Sequence, residues 1–574
     1  MPPSSRRRML IMLSAQILVV AIIVARLVTL QVVQEQEIRK EHALVYGGEE
    51  RLEPIRGPIL DRNGAVLAIT GYDYRITAAP NQIQDARASA SMLASVLITK
   101  TYNILSRLEP WVPDGGDPVL YSIVAPRVSA QTAQAVRELG LPGISVEPVP
   151  SRHYPQGRLF GHVLGWVDMD MNGNSGLEGN YNRELQGDAV TVRQFPILFG
   201  QWEVARPRNG ATLTLTVDRT VQQVTEQVLA DALIRYQARS GAIIVMDPRT
   251  FGILAMATLP SFDPSEFFRE DPRLLINPCV SGWFEPGSIH KVLTMAAAID
   301  SGTVGPETTY EDRGVLEVGG LPIYNWDRGA YGTTDMVTLL AKSLNVGAAT
   351  IAHWMGQETF YRYMAAFGLG EYTGIDLDAE VVGRVKRPGD GLWTEADLGT
   401  NAFGQGLAVT PLQELVAISA IANGGVMLQP HLVAEIRDGD QIRQFQPTVL
   451  GRPISERTAD TVVEMMMQAV AREVAAAAVP GYTIAGKTGT AQIAEGGVYH
   501  PSDVIGTFVG FLPPEDPQVI VLVKIDRPQN AMHERWGSMT AAPVFSELVQ
   551  HLVVLLDIPP DGERAMDRVA AVGQ

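Results

Sequence analysis

At 574 residues the chain is long enough for two to four separately packed units, and 46% hydrophobic residues without an internal repeat describe a globular protein. A net charge of -17, with basic residues clustered only at the N-terminus, excludes a nucleic-acid partner, because phosphate binding is driven by dense cationic surface. The single cysteine, Cys279, excludes an intrachain disulfide and a cysteine-based zinc site and reads as a small core residue.

The first signal in the chain is Arg6, Arg7 and Arg8 ahead of an apolar run from Met9 to Ala25, which resumes after Arg26 as "LVTLQVV". That run is long enough to cross a bilayer, with Arg26 able to snorkel to the headgroups. It predicts a transmembrane helix over residues 9–33, with residues 1–8 kept in the cytoplasm by the positive-inside rule and the remainder outside. A cleaved signal peptide would need a small-x-small site after a shorter core, and "AIIVA" fits that poorly.

Residues 34–208 form the next unit. The polar stretch "QEQEIRKEHALVYGGEERLEP" continues as helix, and "RGPILDRNGAVLAI" alternates apolar and polar residues around Asn63-Gly64, which predicts a β-hairpin. "SRHYPQGRLFGHVLGWV" and "GNSGLEGNYNRELQG" close the unit, and "FPILFGQWEVARPRNG" reads as a linker.

A new core begins near residue 209 and runs to 558. There a strand passes into a helix with Val221, Val224, Val228 and Leu229 on one face. "SGAIIVMDPRTFGILAMATLP" predicts two strands around Asp247-Pro248, and "TIAGKTGTAQI", "DVIGTFVGFLP" and "PQVIVLVKID" supply three more. Strands at both ends of the unit with helices between predict an α+β fold, a mostly antiparallel sheet covered by helices. "TAAPVFSELVQHLVVLLDI" is a helix opened by Pro543, and residues 559–574 read as a disordered tail.

The chemistry begins at "EPGSIHK". A serine hydroxyl becomes a nucleophile only when a base takes its proton, and a lysine does so only when its own pKa is lowered. Residues i and i+3 share a helix face, so Ser288 and Lys291 are within hydrogen-bonding reach, and a helix start at Ser288 offers free backbone N–H groups to a developing oxyanion. Lysine is scarce in this chain, and arginine carries most of the positive charge. Arginine cannot release its proton, so the few lysines mark places where a proton could move. Two further segments follow in order: Ser343-Leu344-Asn345 in "AKSLNVGAAT" and Lys487-Thr488-Gly489-Thr490 in "AGKTGTAQ". Each is weak alone. Together, on a helix start, a loop into a helix and a strand, they form the set that marks a serine acyl-transfer site.

On these motifs the sequence resembles the class B penicillin-binding proteins, peptidoglycan D,D-transpeptidases. The resemblance also covers "RGPILDRNG", "RHYPQGRLFGHVLG", "GNSGLEGNYNRELQG", "FGQGLAVTPLQ" and "GTFVGFLP". It implies an elongated mixed α/β pedestal, similar to a dimerisation domain, over 34–208, and a penicillin-binding transpeptidase domain over 209–558. The middle motif running on as "NVGAA" and the later "AAPVF" look most like the septal, cell-division type, with the elongation type as alternative.

The resemblance implies roles. Ser288 attacks the penultimate D-alanine carbonyl of a stem peptide, with Lys291 as proton acceptor. Ser343 relays a proton to the leaving group, and Asn345 holds Lys291 and the substrate amide. Lys487 attracts the terminal carboxylate, which Thr488 and Thr490, on either side of Gly489, hydrogen-bond, while the backbone N–H groups of Ser288 and Thr490 form the oxyanion hole. Acylation by β-lactams on Ser288 follows. Relatives often carry Ser or Cys at Leu344 and Phe at His290, and His290 reads as a packed or rim residue rather than a catalyst. No cofactor is implied, and no histidine spacing suggests a metal. The acidic polymerase motifs of the bifunctional class A relatives are absent, so the implied partner is a membrane glycosyltransferase of the SEDS family, alongside other division or elongation membrane proteins. The implied location is the bacterial plasma (inner) membrane, single-pass, with the catalytic domain periplasmic or extracellular.

Rival readings are weaker. A β-lactamase of class A would place a Glu-x-x-x-Asn pattern before the last motif, and "TEADLGTN" has Glu395 and Asn401 at the wrong spacing. A β-lactam sensor would need a cytoplasmic signalling domain where eight residues precede the anchor, and an idle division scaffold would be expected to lose Lys291 or Lys487.

Overall fold

The computed structural model describes residues 16–24, 26, 29, 49–111, 119–193, 206–495, 498–529 and 534–572. The predicted membrane span lies mostly outside them. Its described part, residues 16–24, is helical, and among the described residues no helix is long and apolar enough to cross a membrane. The chain divides into two compact units, Met1–Ile55 with Gly187–Gly210, and Arg56–Gln186 with Ala211–Gln574. In the first, strand Glu49–Leu52 pairs antiparallel with Val190–Arg193.

In the second unit the hairpin predicted at Asn63-Gly64 is present. Strands Ile59–Leu60 and Val66–Ala78 run antiparallel, with Gly64 at φ 84° in the turn. Asp61 fixes that turn by accepting the N–H groups of Asn63 and Ala65 at 2.9 and 2.7 Å. The hairpin lies inside a seven-stranded sheet. The later part of Val66–Ala78 lies between Ser122–Val128 and Ile144–His153, antiparallel to both. The hairpin's other strand, Ile59–Leu60, pairs parallel with Thr212–Leu215, which continues antiparallel into Val433–Asp438 and Gln441–Gln444. This sheet therefore joins strands from both sides of the expected boundary at residue 208.

Three of the segments rich in glycine and charge meet beside that sheet. Glu178, fully buried, accepts hydrogen bonds from Arg56 Nε at 2.7 Å and Arg152 Nε at 2.6 Å. The pattern "RGP…RHYP…GLEGN" is thus one buried cluster of two guanidinium groups around a carboxylate.

The second sheet has five strands, all antiparallel, in the order Ala485–Glu495, Val498–Leu512, Val519–Asp526, Ser240–Met246, Ile253–Leu259. Its central strands are apolar at almost every position because both faces are buried. Ile243, Val245, Val521 and Val523 pack with helices Arg219–Tyr236 and Ala541–Leu555. Ile244, Met246, Ile520 and Leu522 face the opposite core, which contains helices Lys291–Asp300 and Pro411–Ala422. Asp218 caps the first of these helices by accepting the N–H groups of Thr220 and Val221, as its sequence position at a strand-to-helix junction leads one to expect.

The tail departs from expectation. Asp561–Val572 is helical, and its first turn is tied to the domain by Thr483 Oγ1, which donates to Asp561 Oδ2 at 2.7 Å, and by Arg564 near Glu515 at 3.7 Å. Composition alone pointed to disorder, but partners about 50 to 80 residues earlier in the chain supply the missing contacts.

Candidate active site

Ser288 stands in a 3-10 turn, Gly287–His290, that runs directly into helix Lys291–Asp300. In such a turn side chains three apart eclipse, so Ser288 and Lys291 share one side. Gly287 adopts φ +61°, and a Cβ there would lie 2.9 Å from Thr490 O, so the turn needs glycine to reach the strand carrying Thr490. The strand answers with its own glycine. A side chain at Gly489 would overlap Thr507 Oγ1 and press Pro286 O at 3.1 Å. Two of the motif segments are in contact because both lack a Cβ where they meet.

The middle motif arrives from the opposite side. Helix Met336–Lys342 ends at Ser343, which takes the left-handed conformation (φ 57°, ψ 46°), and the chain restarts as helix Asn345–Met355 after Leu344. This reversal points both polar residues at Lys291. Lys291 Nζ donates to Ser343 O at 2.6 Å and to Asn345 Oδ1 at 2.7 Å, and lies 3.3 Å from Ser343 Oγ. Lys487 Nζ donates to Ser343 Oγ at 3.0 Å and to Thr488 O at 3.0 Å. Thr490 Oγ1 accepts Gly537 N at 3.0 Å, which leaves its hydrogen free to donate. Ser288, Ser343, Asn345, Thr488, Gly489 and Thr490 line one cavity of about 1060 Å³, while the two lysines lie beneath it, 1% and 3% exposed. All eight residues singled out from the sequence therefore converge.

One expected contact is not made. Among the described residues no hydrogen bond joins Ser288 to Lys291, because the amine is drawn to two carbonyl oxygens of the middle motif. Catalytic hydrogen bonds often tighten only when substrate is bound.

Burial sets the electrostatics. It pushes Lys291 well below the usual lysine range, and the neighbouring charge of Lys487 pushes the same way. Burial also lowers Lys487, to about 7. A neutral Lys291 amine has two N–H bonds, which Ser343 O and Asn345 Oδ1 accept at the two shortest distances. Its lone pair is then left for a hydroxyl proton. Of the two places read for His290, packed or at the rim, the structure shows the first: it is fully buried with Nδ1 3.2 Å from the buried Glu414 carboxylate.

Other groups at the site were not singled out from the sequence. Tyr324 O accepts Asn345 Nδ2 at 3.0 Å, and the Phe403 ring centroid lies 6.0 Å from Lys291 Nζ. Trp326 and Trp536, both in the cavity lining, meet edge to face with ring centroids 4.7 Å apart. The available signals were the aromatic residues in "IYNWD", which have no distinctive spacing, and Phe403 at the head of "FGQGLAVTPLQ".

Comparison with known families decides the matter. Residues 241–550 match the penicillin binding protein transpeptidase domain, and residues 51–195 match the penicillin-binding protein dimerisation domain. The chain belongs to the class B penicillin-binding proteins. It is 31% identical to stage V sporulation protein D of Bacillus subtilis over 97% of this chain and 86% of that protein. Identity to penicillin-binding protein PbpB of Mycolicibacterium smegmatis is also 31%, over 95% and 89%. Among solved structures, penicillin binding protein 3 from Mycobacterium tuberculosis in complex with aztreonam is similar at TM-score 0.69 and 27% identity, covering 89% of this chain and 98% of that one. A peptidoglycan synthetase from Bifidobacterium adolescentis superposes at TM-score 0.71 with 28% identity, covering 90% and 98%. This penicillin-binding protein thus has the mixed α/β fold with antiparallel sheets that its motifs implied, and it is a transpeptidase of peptidoglycan.

Proposed function

We propose that this penicillin-binding protein cross-links stem peptides through an acyl-enzyme on Ser288. The observation that carries the reading is the Ser343 hydroxyl held between two buried lysine amines below the cavity that Ser288 lines. Ser288 Oγ attacks the penultimate D-alanine carbonyl, and its proton passes to neutral Lys291 Nζ. The tetrahedral oxyanion faces the backbone N–H groups of Ser288 and Thr490. The C–N bond then breaks, and the departing D-alanine amine takes the proton from Lys291 through the Ser343 hydroxyl. Charged Lys487, with Thr488 and Thr490, holds the terminal carboxylate. An acceptor amine next attacks the ester carbonyl and gives its proton to Lys291, which passes it to Ser288 Oγ as the ester C–O bond breaks. A β-lactam enters by the same first step, but its leaving nitrogen stays tethered in the site.

The place of action is read as the division septum, supported by "NVGAA" after Asn345 and by "AAPVF". The apolar run at 9–33 after Arg6, Arg7 and Arg8 supports a single-pass anchor in the plasma membrane with the catalytic domain outside. The glycan strand then comes from a partner, a membrane glycosyltransferase of the SEDS type, within an assembly of division membrane proteins.

Labelling of the purified protein with a fluorescent penicillin tests the chemistry. Ser288→Ala and Lys291→Arg are expected to lose the label, and undiminished labelling of Ser288→Ala rules out the nucleophile. For the anchor, alkaline carbonate extraction is expected to leave the protein with the membranes, and release into the supernatant overturns it. Depletion in cells is expected to give undivided filaments, whereas rounded, widened cells place the enzyme in elongation.

A further inference from the structure

Lys291 can serve as a base only while its two N–H groups are held and its lone pair is free, so the orientation of the Asn345 amide matters. Oδ1 faces Lys291 at 2.7 Å, and Nδ2 is turned away to Tyr324 O at 3.0 Å. With the amide reversed, an N–H would confront the amine and the acceptor would be lost. What holds the Tyr324 carbonyl and the start of the helix carrying Asn345 therefore decides how Lys291 is presented.

Both are held by one buried pair. Asn325, 2% exposed, follows Tyr324 directly. Its Oδ1 accepts the N–H of Val346 at 3.1 Å, one of the donors that a helix leaves unpaired in its first turn. Its Nδ2 donates to both oxygens of Asp312 at 3.0 Å and to Gly329 O at 3.1 Å, so the amide is saturated. Asp312, 1% exposed, is itself fixed by Tyr310 Oη at 3.0 Å and Gly314 N at 2.8 Å. Tyr324 is also the last residue of a strand paired with Val315–Val318, which limits how its carbonyl can turn.

We propose that Asp312 and Asn325 are positioning residues for the acylation step, locking the Asn345 amide so that Oδ1 faces Lys291. The chain of contact runs Asp312, Asn325, the Tyr324 carbonyl and the Val346 N–H, Asn345, Lys291. Asp312 lines no part of the cavity, and Asn325, which does, has its amide already engaged by Asp312, Gly329 and Val346. The proposal rests on the reading above in which neutral Lys291 takes the Ser288 proton.

A hydrogen bond to Oδ1 favours the ammonium over the amine, because charge-assisted bonds are the stronger ones. Losing it lowers the pKa of Lys291 further. The ionisable neighbour acting on Lys291 is Lys487 on the facing strand, and it is unchanged by the substitutions.

The test uses full-length protein in detergent, with the second-order rate of acylation by a fluorescent penicillin followed against pH and normalised to titrated active sites. Asn325→Ala and Asp312→Asn are each expected to lower the plateau about tenfold, the worth of one hydrogen bond to a charged group. Each should also move the ascending limb of the profile to lower pH. A merely structural pair would lower the amount of active protein without moving the midpoint, and that result overturns the proposal. Lys291→Arg is measured in parallel. If it acylates at the parental rate, the acyl-transfer reading itself fails. If it is inactive while Asn325→Ala keeps the parental profile, the positioning role alone fails.

Discussion

The hydroxyl of Ser343 accepts a hydrogen bond from Lys487 Nζ at 3.0 Å while its other side lies 3.3 Å from Lys291 Nζ. One oxygen therefore couples two lysines that must be in opposite protonation states: Lys291 neutral to accept a proton, Lys487 charged to hold a carboxylate. Lys291 is lowered by burial and then by Lys487, so it becomes a base as pH rises through its depressed pKa. Lys487, lowered by burial to about 7, loses its charge as pH rises through that value. The profile of kcat/KM on a D-alanyl thioester, which reports the free enzyme, is expected to be bell-shaped with its falling limb near pH 7. Lys487→Arg should remove that limb, because arginine stays protonated, at the cost of a lower plateau. Persistence of the limb in Lys487→Arg would assign it to another group.

Gly404 is expected to be intolerant of a side chain. It adopts φ +78°, a Cβ there would overlap Gly287 O and meet His290 Cβ at 2.8 Å, and its own carbonyl accepts Gly287 N at 3.0 Å. Gly404→Ala adds the left-handed backbone cost of about 1–2 kcal/mol. It also pushes the turn that carries Ser288. Displacement of a nucleophile by about 1 Å costs on the order of a hundredfold in rate. Acylation should therefore fall far more than the melting temperature does, and a variant that melts early yet acylates normally would contradict this.

How much of this was legible in the sequence depends on the range of each interaction. The apolar strands around Ile244 and Ile520 were readable because burial on both faces leaves an unbroken apolar run. Ser288, Ser343 and Lys487 were readable because each sits in a short motif whose local element fixes its direction. The Ser288–Lys291 hydrogen bond was inferred from spacing alone. Spacing brings two groups to one side but cannot show that Ser343 O and Asn345 Oδ1, more than 50 residues away, hold the amine instead. Asn325 was invisible for a related reason, since its importance lies in the carbonyl beside it and in a backbone N–H 21 residues on. The tail helix was missed because its partners Thr483 and Glu515 are distant in the chain.

His162 should make the protein sensitive to mild acid. Its Nε2 lies 2.8 Å from Leu274 O and its Nδ1 2.6 Å from Thr258 Oγ1, a pair that suits a neutral ring donating to the carbonyl and accepting from the hydroxyl. Burial lowers its pKa from 6.5 to about 4. Below pH 6.5 the unfolded chain takes up a proton that the folded chain refuses, so the stability present at neutral pH is lost as pH falls toward 4. Each pH unit in that window costs up to about 1.4 kcal/mol. Thermal melts at several pH values should show a shallower acid loss for His162→Gln than for the parent. Parallel curves would locate the acid sensitivity elsewhere.

Glu178 is the last case, and it concerns stability rather than chemistry. Its side chain is fully buried between Arg56 and Arg152, whose side chains are 2% and 1% exposed, and among the described residues it is the one anion paired with these two cations. Asn182 Oδ1 and Gly57 O accept further N–H groups of the arginines at 2.7 and 2.8 Å, but they carry no charge. Replacing a buried pair by well-packed apolar groups can be neutral, but removing one partner leaves the other charge buried without compensation. Glu178→Gln keeps the shape and removes the anion, so it is expected to cost about 3–5 kcal/mol. The loss should appear as an earlier thermal transition and faster proteolysis within residues 51–195. Glu178 lines no part of the cavity, so Ser288 in the folded fraction should still take up fluorescent penicillin at low temperature. A variant melting with the parent would mean that the two guanidinium groups are held by the neutral acceptors alone.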